Sequence, residues 1–164
     1  MNLLRKTRRR DSQPHQRATN ADFCRLFTKE LKGLYLLSLL LTADSELAEE
    51  CVLRSLDDCI SGVAVAVDWA HSWAKRAVIK NAIRLVGPDL HSTLTNANEK
   101  ERQQWDHEHP AIRAILGLST FERIVYVTCV LERYSDGDSA SLLGCVTQAI
   151  REAGVQALRH IAGV

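Results

Sequence analysis

The sequence predicts an all-α protein of two small helical domains joined by a polar linker. Three observations carry that reading. Leu, Ala and Val dominate a chain of 164 residues in which aromatics make up 5% and prolines number three, a composition that suits helices better than β-branched and aromatic strands. Apolar residues recur at helical spacing behind recognisable caps. The periodicity fails between Asp89 and His109, which divides the chain in two.

Residues 1–18 read as a basic arm. Arg5, Lys6, Arg8, Arg9, Arg10 and Arg17 stand against Asp11 alone, the pattern of an unstructured segment that attracts phosphates or an acidic protein surface at long range. The first domain spans 19–86. Asn20 or Asp22 is the expected N-cap of a long helix bearing Phe23, Phe27, Leu31, Leu34 and Leu37 and ending near Thr42. Asp44 caps a second helix with Leu47, Cys51 and Leu56 on one stripe and Glu46, Glu49, Glu50 and Arg54 toward solvent. The short joint makes the pair an antiparallel hairpin. Val63, Val65 and Val67 alternate like a strand but have none to pair with, so this stretch reads as a loop. Asp68 is the expected cap of a third helix, with Trp69, Trp73, Ala77, Val78, Ile79, Ala82, Ile83 and Val86 facing inward, and Gly87-Pro88 ends it. Lys75, Arg76, Lys80 and Arg84 make it the most basic helix of the chain.

The linker, 87–109, is polar and mixed in charge. The second domain, 110–164, opens on Pro110, well placed at a first helical position ahead of Ile112, Ile115 and Leu116. Ser119 and Glu122 form a capping box for a helix with Ile124, Val125, Val127 and Val130. "ERYSDGDS" breaks that helix, and the spacing that follows is that of a helix-turn-helix. Such a motif needs a small residue where its helices cross, a residue tolerant of positive φ in its turn, and a branched apolar plug in its second helix. Ala140, Gly144 and Ile150 supply these in order. Leu142, Leu143 and Leu158 fill the core, and Thr147 is a plausible N-cap of a second helix reaching about His160. Docking geometry then turns Thr147, Gln148, Arg151 and Val155 toward base edges.

Several classes are disfavoured. The longest apolar stretch, Leu34 to Leu41, is far below the roughly 20 residues that cross a bilayer, and no apolar segment follows the basic start as in a signal peptide. No membrane association is expected, and the cytosol is the expected compartment. Cys24, Cys51, Cys59, Cys129 and Cys145 are odd in number and widely spaced, which suggests reduced thiols rather than a disulfide framework or a zinc site. "HEH" at 107–109 lacks a second ligand pair, so neither metal nor cofactor is implied. No nucleophile sits at the spacing of a base and no glycine-rich loop could cradle a phosphate, so an enzyme is not expected.

Taken together, the halves resemble the small two-domain members of the sigma-70 family, the extracytoplasmic-function type of RNA polymerase sigma factor. In "LSTFERIVYVTCVLERYSDGDSASLLGCVTQAI", Leu118, Glu122, Arg123, Val125, Glu132, Tyr134, Ser135, Asp138, Ala140, Leu143, Gly144 and Ile150 stand at the places of that family's region four. "LYLLSLLLTADSELAEECVLRSL" is similar to region two more loosely, with Asp44, Ala48, Glu49 and Glu50 in place, and "WAHSWAKRAVIKNAIR" is similar to its tryptophan helix. The resemblance implies that Asp44, Glu49, Glu50 and Leu53 meet core RNA polymerase and that Trp69, Trp73, Lys75, Arg76, Lys80 and Arg84 face the melted promoter strand. It also leaves room for an anti-sigma partner.

The chain departs from the family at several places. Leu53 and Leu56 replace the usual Gln and Phe, Trp73 and Asn81 stand one residue further apart than the usual pair, and Gly154 and Gln156 replace two arginines near the end of the recognition helix. The expected function is therefore recruitment of core polymerase to promoter DNA, with a weakened grip at the second helix. The alternative is a helical protein-interaction module that keeps the frame without reading DNA. The acidic C-terminal half, where Arg123, Arg133, Arg151 and Arg159 face Glu122, Glu132, Asp136, Asp138 and Glu152, supports that alternative, because phosphate attraction dominates affinity for DNA.

Overall fold

The computed structural model describes residues 16–62, 64–87, 90 and 109–163, and these are helical almost throughout, with no strand among them. Helix α1 is Asn20–Thr42, α2 Ser45–Ser61 and α3 Ala70–Val86. In the C-terminal half, α4 is Pro110–Leu116, α5 Thr120–Val125, α6 Asp136–Leu143 and α7 Thr147–Ala162. A π-helical stretch, Tyr126–Leu131, continues α5 directly.

Local chemistry sets most of these bounds. Helix α1 starts one residue earlier than expected because Thr19, not Asn20 or Asp22, is its cap. The Thr19 hydroxyl accepts from the Asp22 amide at 3.2 Å, and the Asp22 carboxylate accepts from the Thr19 amide at 2.8 Å. This reciprocal box satisfies two donors that helix geometry leaves without partners. Helix α1 ends at Ala43, which adopts the left-handed conformation, and Asp44 then caps α2 by accepting from the Leu47 amide at 2.9 Å. Helix α3 departs from expectation at its start. Residues Val67–Trp69 form a 3-10 turn, Trp69 occupies the cap position, and Asp68 lies within that turn. In the C-terminal half Pro110 takes the first helical position, and Ser119 with Glu122 completes a capping box at α5. Val146, not Thr147, is the cap of α7, which extends to Ala162.

Helices α1, α2 and α3 pack against one another, and α5 and α6 pack against α7. The buried stripe of α3 is Ala70, Ala74, Ala77, Val78, Asn81 and Ala82, with Ile79 and Val86 beside it. That phase leaves Trp69 and Trp73 on the open flank, so neither faces inward as expected. Leu31, Val130 and Leu158, assigned to apolar faces, are exposed as well. The π stretch accounts for Val130. Its wider turn, in which the Glu132 amide donates to the Val127 carbonyl at 2.9 Å, shifts the phase away from that of an α-helix.

One continuous apolar core runs from Phe23 and Phe27 through Leu41, Val78 and Ile79 to Leu116, Ile124 and Val127, and so joins residues of both halves. Leu90 of the linker is buried in it. A smaller cluster of Val125, Ala140, Ile150 and Ala153 lies under α6 and α7. Arg123 is fully buried where the halves meet. It donates to the carbonyl oxygens of Leu118 at 3.0 Å, Leu41 at 3.4 Å and Thr42 at 3.5 Å, and so caps the C-terminal end of α1. Burial pulls the guanidinium down to about 10, still far above neutrality, so the cap is charged. Near the other end of the contact, the Lys75 ammonium meets the Glu132 carboxylate at 2.8 Å.

Candidate nucleic-acid interface

Helix α7 follows α6 across Gly144, Cys145 and Val146. Gly144 has φ 64°, the left-handed region that costs a residue with a Cβ its usual freedom. Ala140 is 5% exposed and Ile150 is 1% exposed, so the small and branched residues are both in the packed seam. The opposite face of α7 presents Gln148, Arg151 and Val155, while Thr147 is half-buried at its start. Two of these side chains are held by acids. Arg151 Nε donates to Asp136 Oδ2 at 3.1 Å, and Gln148 Nε2 donates to Glu152 Oε1 at 2.9 Å. Gly154, where the family-like pattern has a cation, is partly buried with space before it, since a Cβ there would meet Val125 Cγ1 at 3.8 Å.

A second polar surface lies on α3. Trp73, Arg76, Lys80 and Arg84 line a groove of about 230 Å³ together with Asp58 from α2. Asn81 fixes the register beneath it, donating to Asp58 Oδ2 at 2.9 Å, Ala77 O at 3.1 Å and Ser55 Oγ at 3.3 Å. Asp58 then lies 3.6 Å from Arg84 Nη1. Trp69, 66% exposed, stands at the N-terminal end of the same helix. Of the expected strand-facing residues, Trp69, Arg76, Lys80 and Arg84 are exposed, whereas Lys75 is half-buried and turned to Glu132.

A third feature is apolar. Leu31, Lys32 and Tyr35 of α1 and Glu49, Val52 and Leu53 of α2 line a groove of about 450 Å³. Leu53 is 66% exposed. Of the residues expected to meet a polymerase, Glu49 and Leu53 belong to this groove. Asp44 is occupied in capping α2, and Glu50 is ion-paired with Arg54.

Asp58, Asn81, Glu132 and Asp136 are polar residues to which sequence reasoning gave no role in these surfaces. Only Asn81 carried a usable signal, because it falls on the apolar stripe of α3 and a buried amide needs partners. Among the described residues no cluster of His, Cys, Asp and Glu could hold a metal; His107 and Glu108 lie outside them. Burial raises the Cys51 and Cys59 thiols, the latter to about 11, and the Cys51 thiol donates to the Val78 carbonyl at 3.3 Å, as inert packed cysteines do. Comparison of the chain with protein-family models, with curated proteins and with solved structures returns no match.

Proposed function

We propose that the chain is a sigma-like transcription-initiation protein that binds core RNA polymerase through α1 and α2 and promoter DNA through α7 and α3. In this reading α6 and α7 are a helix-turn-helix. The observation that carries it is the agreement of three residue types with three distinct demands: Ala140 in the crossing, Gly144 at positive φ in the turn, and Ile150 as the plug. Thr147, Gln148, Arg151 and Val155 are the residues offered to base edges. Trp69, Arg76, Lys80 and Arg84 offer stacking and charge to an unpaired strand, and Lys75 joins them once released from Glu132. The groove beside Leu53 and Glu49 is the proposed polymerase contact. The mechanism is recruitment and capture of an opened strand, without covalent chemistry.

A second reading, an interaction module without DNA recognition, is favoured by one observation. Arg151, the sole cation among the proposed base readers, is already paired with Asp136. A mobility-shift assay on a promoter fragment with core RNA polymerase separates the two. DNA recognition predicts that Arg151→Glu weakens the complex by about 5- to 150-fold, the worth of one specific side-chain contact to a base. Binding unchanged by that substitution removes the basis of the first reading.

A further inference from the structure

Helix α7 buries Ile150, Ala153 and Ala157 on one side and leaves the other side open. At 3.6 residues per turn, the open side is centred on Gln148, Val155 and Ala162, all of them exposed. Val155 is 48% exposed, and Leu158 beside it is 50% exposed. Two apolar side chains one turn apart, half in water, form a small unpartnered stripe.

The charges around this stripe cancel. Arg151 is matched by Asp136 at 3.1 Å, and Glu152 and Arg159 stand together on the other flank. Among the described residues neither Glu152 nor Arg159 is in an ion pair. They are seven residues apart, which is about 10 Å along the helix at a rise of 1.5 Å per residue.

That spacing makes the face complementary to itself. A second α7 laid antiparallel on the first, about a twofold axis level with Val155 and Gln156, keeps like flanks on the same side of the contact. Each Glu152 then stands opposite the Arg159 of the other copy. The same axis sets Val155 on its own copy at the centre and each Leu158 beside the Val155 of the other chain. Self-complementarity of this kind is what a twofold interface demands.

We propose that the exposed face of α7 is a self-association surface, on which a second copy of this chain docks antiparallel through Val155 and Leu158, with Glu152 and Arg159 pairing reciprocally at the rim. Burial of the apolar stripe supplies the attraction. The flanking charges fix direction and register, as they do between paired helices. One helix of 16 residues per copy is a small contact against the roughly 1,200–2,000 Å² of a stable interface, so the pair forms as concentration rises. The proposal goes beyond the proposed function and does not rest on it. The two meet on one surface, because pairing covers Gln148, Arg151 and Val155 and so withholds them from base edges.

The test is sedimentation velocity of the full chain over a concentration series, at low ionic strength and without nucleic acid. Four variants are compared with the wild type: Glu152→Arg, Arg159→Glu, the two combined, and Val155→Glu. All three positions are exposed, and circular dichroism checks that helicity is kept. The wild type is expected to shift from the 18.3 kDa monomer toward a species of twice that mass. Each single charge reversal is expected to weaken association by about tenfold or more, since the twofold places the changed residue in two pairs. Val155→Glu is expected to abolish association over the same range. The combined reversal rebuilds both pairs with their signs exchanged, and association is expected to return to that of the wild type.

A wild-type chain that stays monomeric throughout overturns the proposal. Association that survives Val155→Glu also overturns it, because the contact then lies on another face. Single reversals without effect, or a combined reversal that fails to restore what each single one weakens, overturn the antiparallel pairing and the proposal with it. The proposed function is tested separately by the mobility shift on promoter DNA, so either can fail without the other.

Discussion

Arg123 shows how far a single side chain can be from what its neighbours in sequence suggest. It follows the Glu of a capping box in the first turn of α5, a place where a cation is ordinarily solvated, yet it is fully buried on the last carbonyls of α1. Its partners on α1 lie about 80 residues away, and no periodicity could name them. Removing it strands buried acceptors, so Arg123→Met is expected to cost roughly 3–5 kcal/mol in urea denaturation, in line with breaking a buried charged contact. Arg123→Lys, which cannot span all three carbonyls, should fall between that variant and the wild type. A second residue-scale prediction concerns Asp22. The Thr19 hydroxyl and amide, with Arg25 beside them, pull its carboxyl from 3.8 down to about 2. A lowered carboxyl favours the folded cap at pH values above its ordinary range, and the contribution is lost as pH falls through about 2. An NMR titration should find Asp22 ionising near that value, and Thr19→Ala should return it toward 3.8.

At the scale of the helix, two glycines ten residues apart are expected to respond oppositely to the same substitution. Gly144 sits at φ 64° in the turn before α7, so Gly144→Ala is expected to destabilise by about 1 kcal/mol. Gly154 lies inside α7, with a contact of 3.8 Å waiting for a Cβ, so Gly154→Ala is expected to stabilise by roughly 0.5–1 kcal/mol. Thermal unfolding of the pair decides both. The elements themselves were largely legible. Asp44 with its apolar stripe, Pro110 at a first helical position, and the Ser119 and Glu122 box each mark a helix start by chemistry that acts within four residues. Legibility failed where several local answers compete. Thr19, Asn20 and Asp22 can all cap α1, and the winner is the residue whose side chain and partner complete a reciprocal box. It failed again at α3, where Trp69 and Trp73 are apolar enough to suggest an inward face but the small residues Ala70, Ala74 and Ala77 take the helix contact. The π stretch at Tyr126–Leu131 has no sequence signal that we recognise, and it changes the phase of everything to Glu132.

Across the whole molecule, the two sequence segments share more than a linker would provide. Ile115, Leu116, Ile124 and Val127 complete the core begun by α1, and Lys75 with Glu132 adds a partly exposed ion pair. A double-mutant cycle on Lys75→Ala and Glu132→Ala should give a coupling of no more than about 1 kcal/mol, because the Lys75 side of the pair is open to water. The apolar contact is therefore the stronger tie. The exposure of Arg151, Arg76, Lys80, Arg84 and Leu53 was legible from their place in the helical periodicity. Their partners were not, because Asp136, Asp58 and Glu132 approach through folding over long separations. Under the proposed function this frame engages core RNA polymerase, and retention of purified core enzyme on the immobilised full chain tests that proposal. The expected result is retention by the wild type and its loss in Leu53→Glu, a substitution at a position exposed outside the apolar core. Failure of the wild-type chain to retain the enzyme, or equal retention by Leu53→Glu, would contradict it.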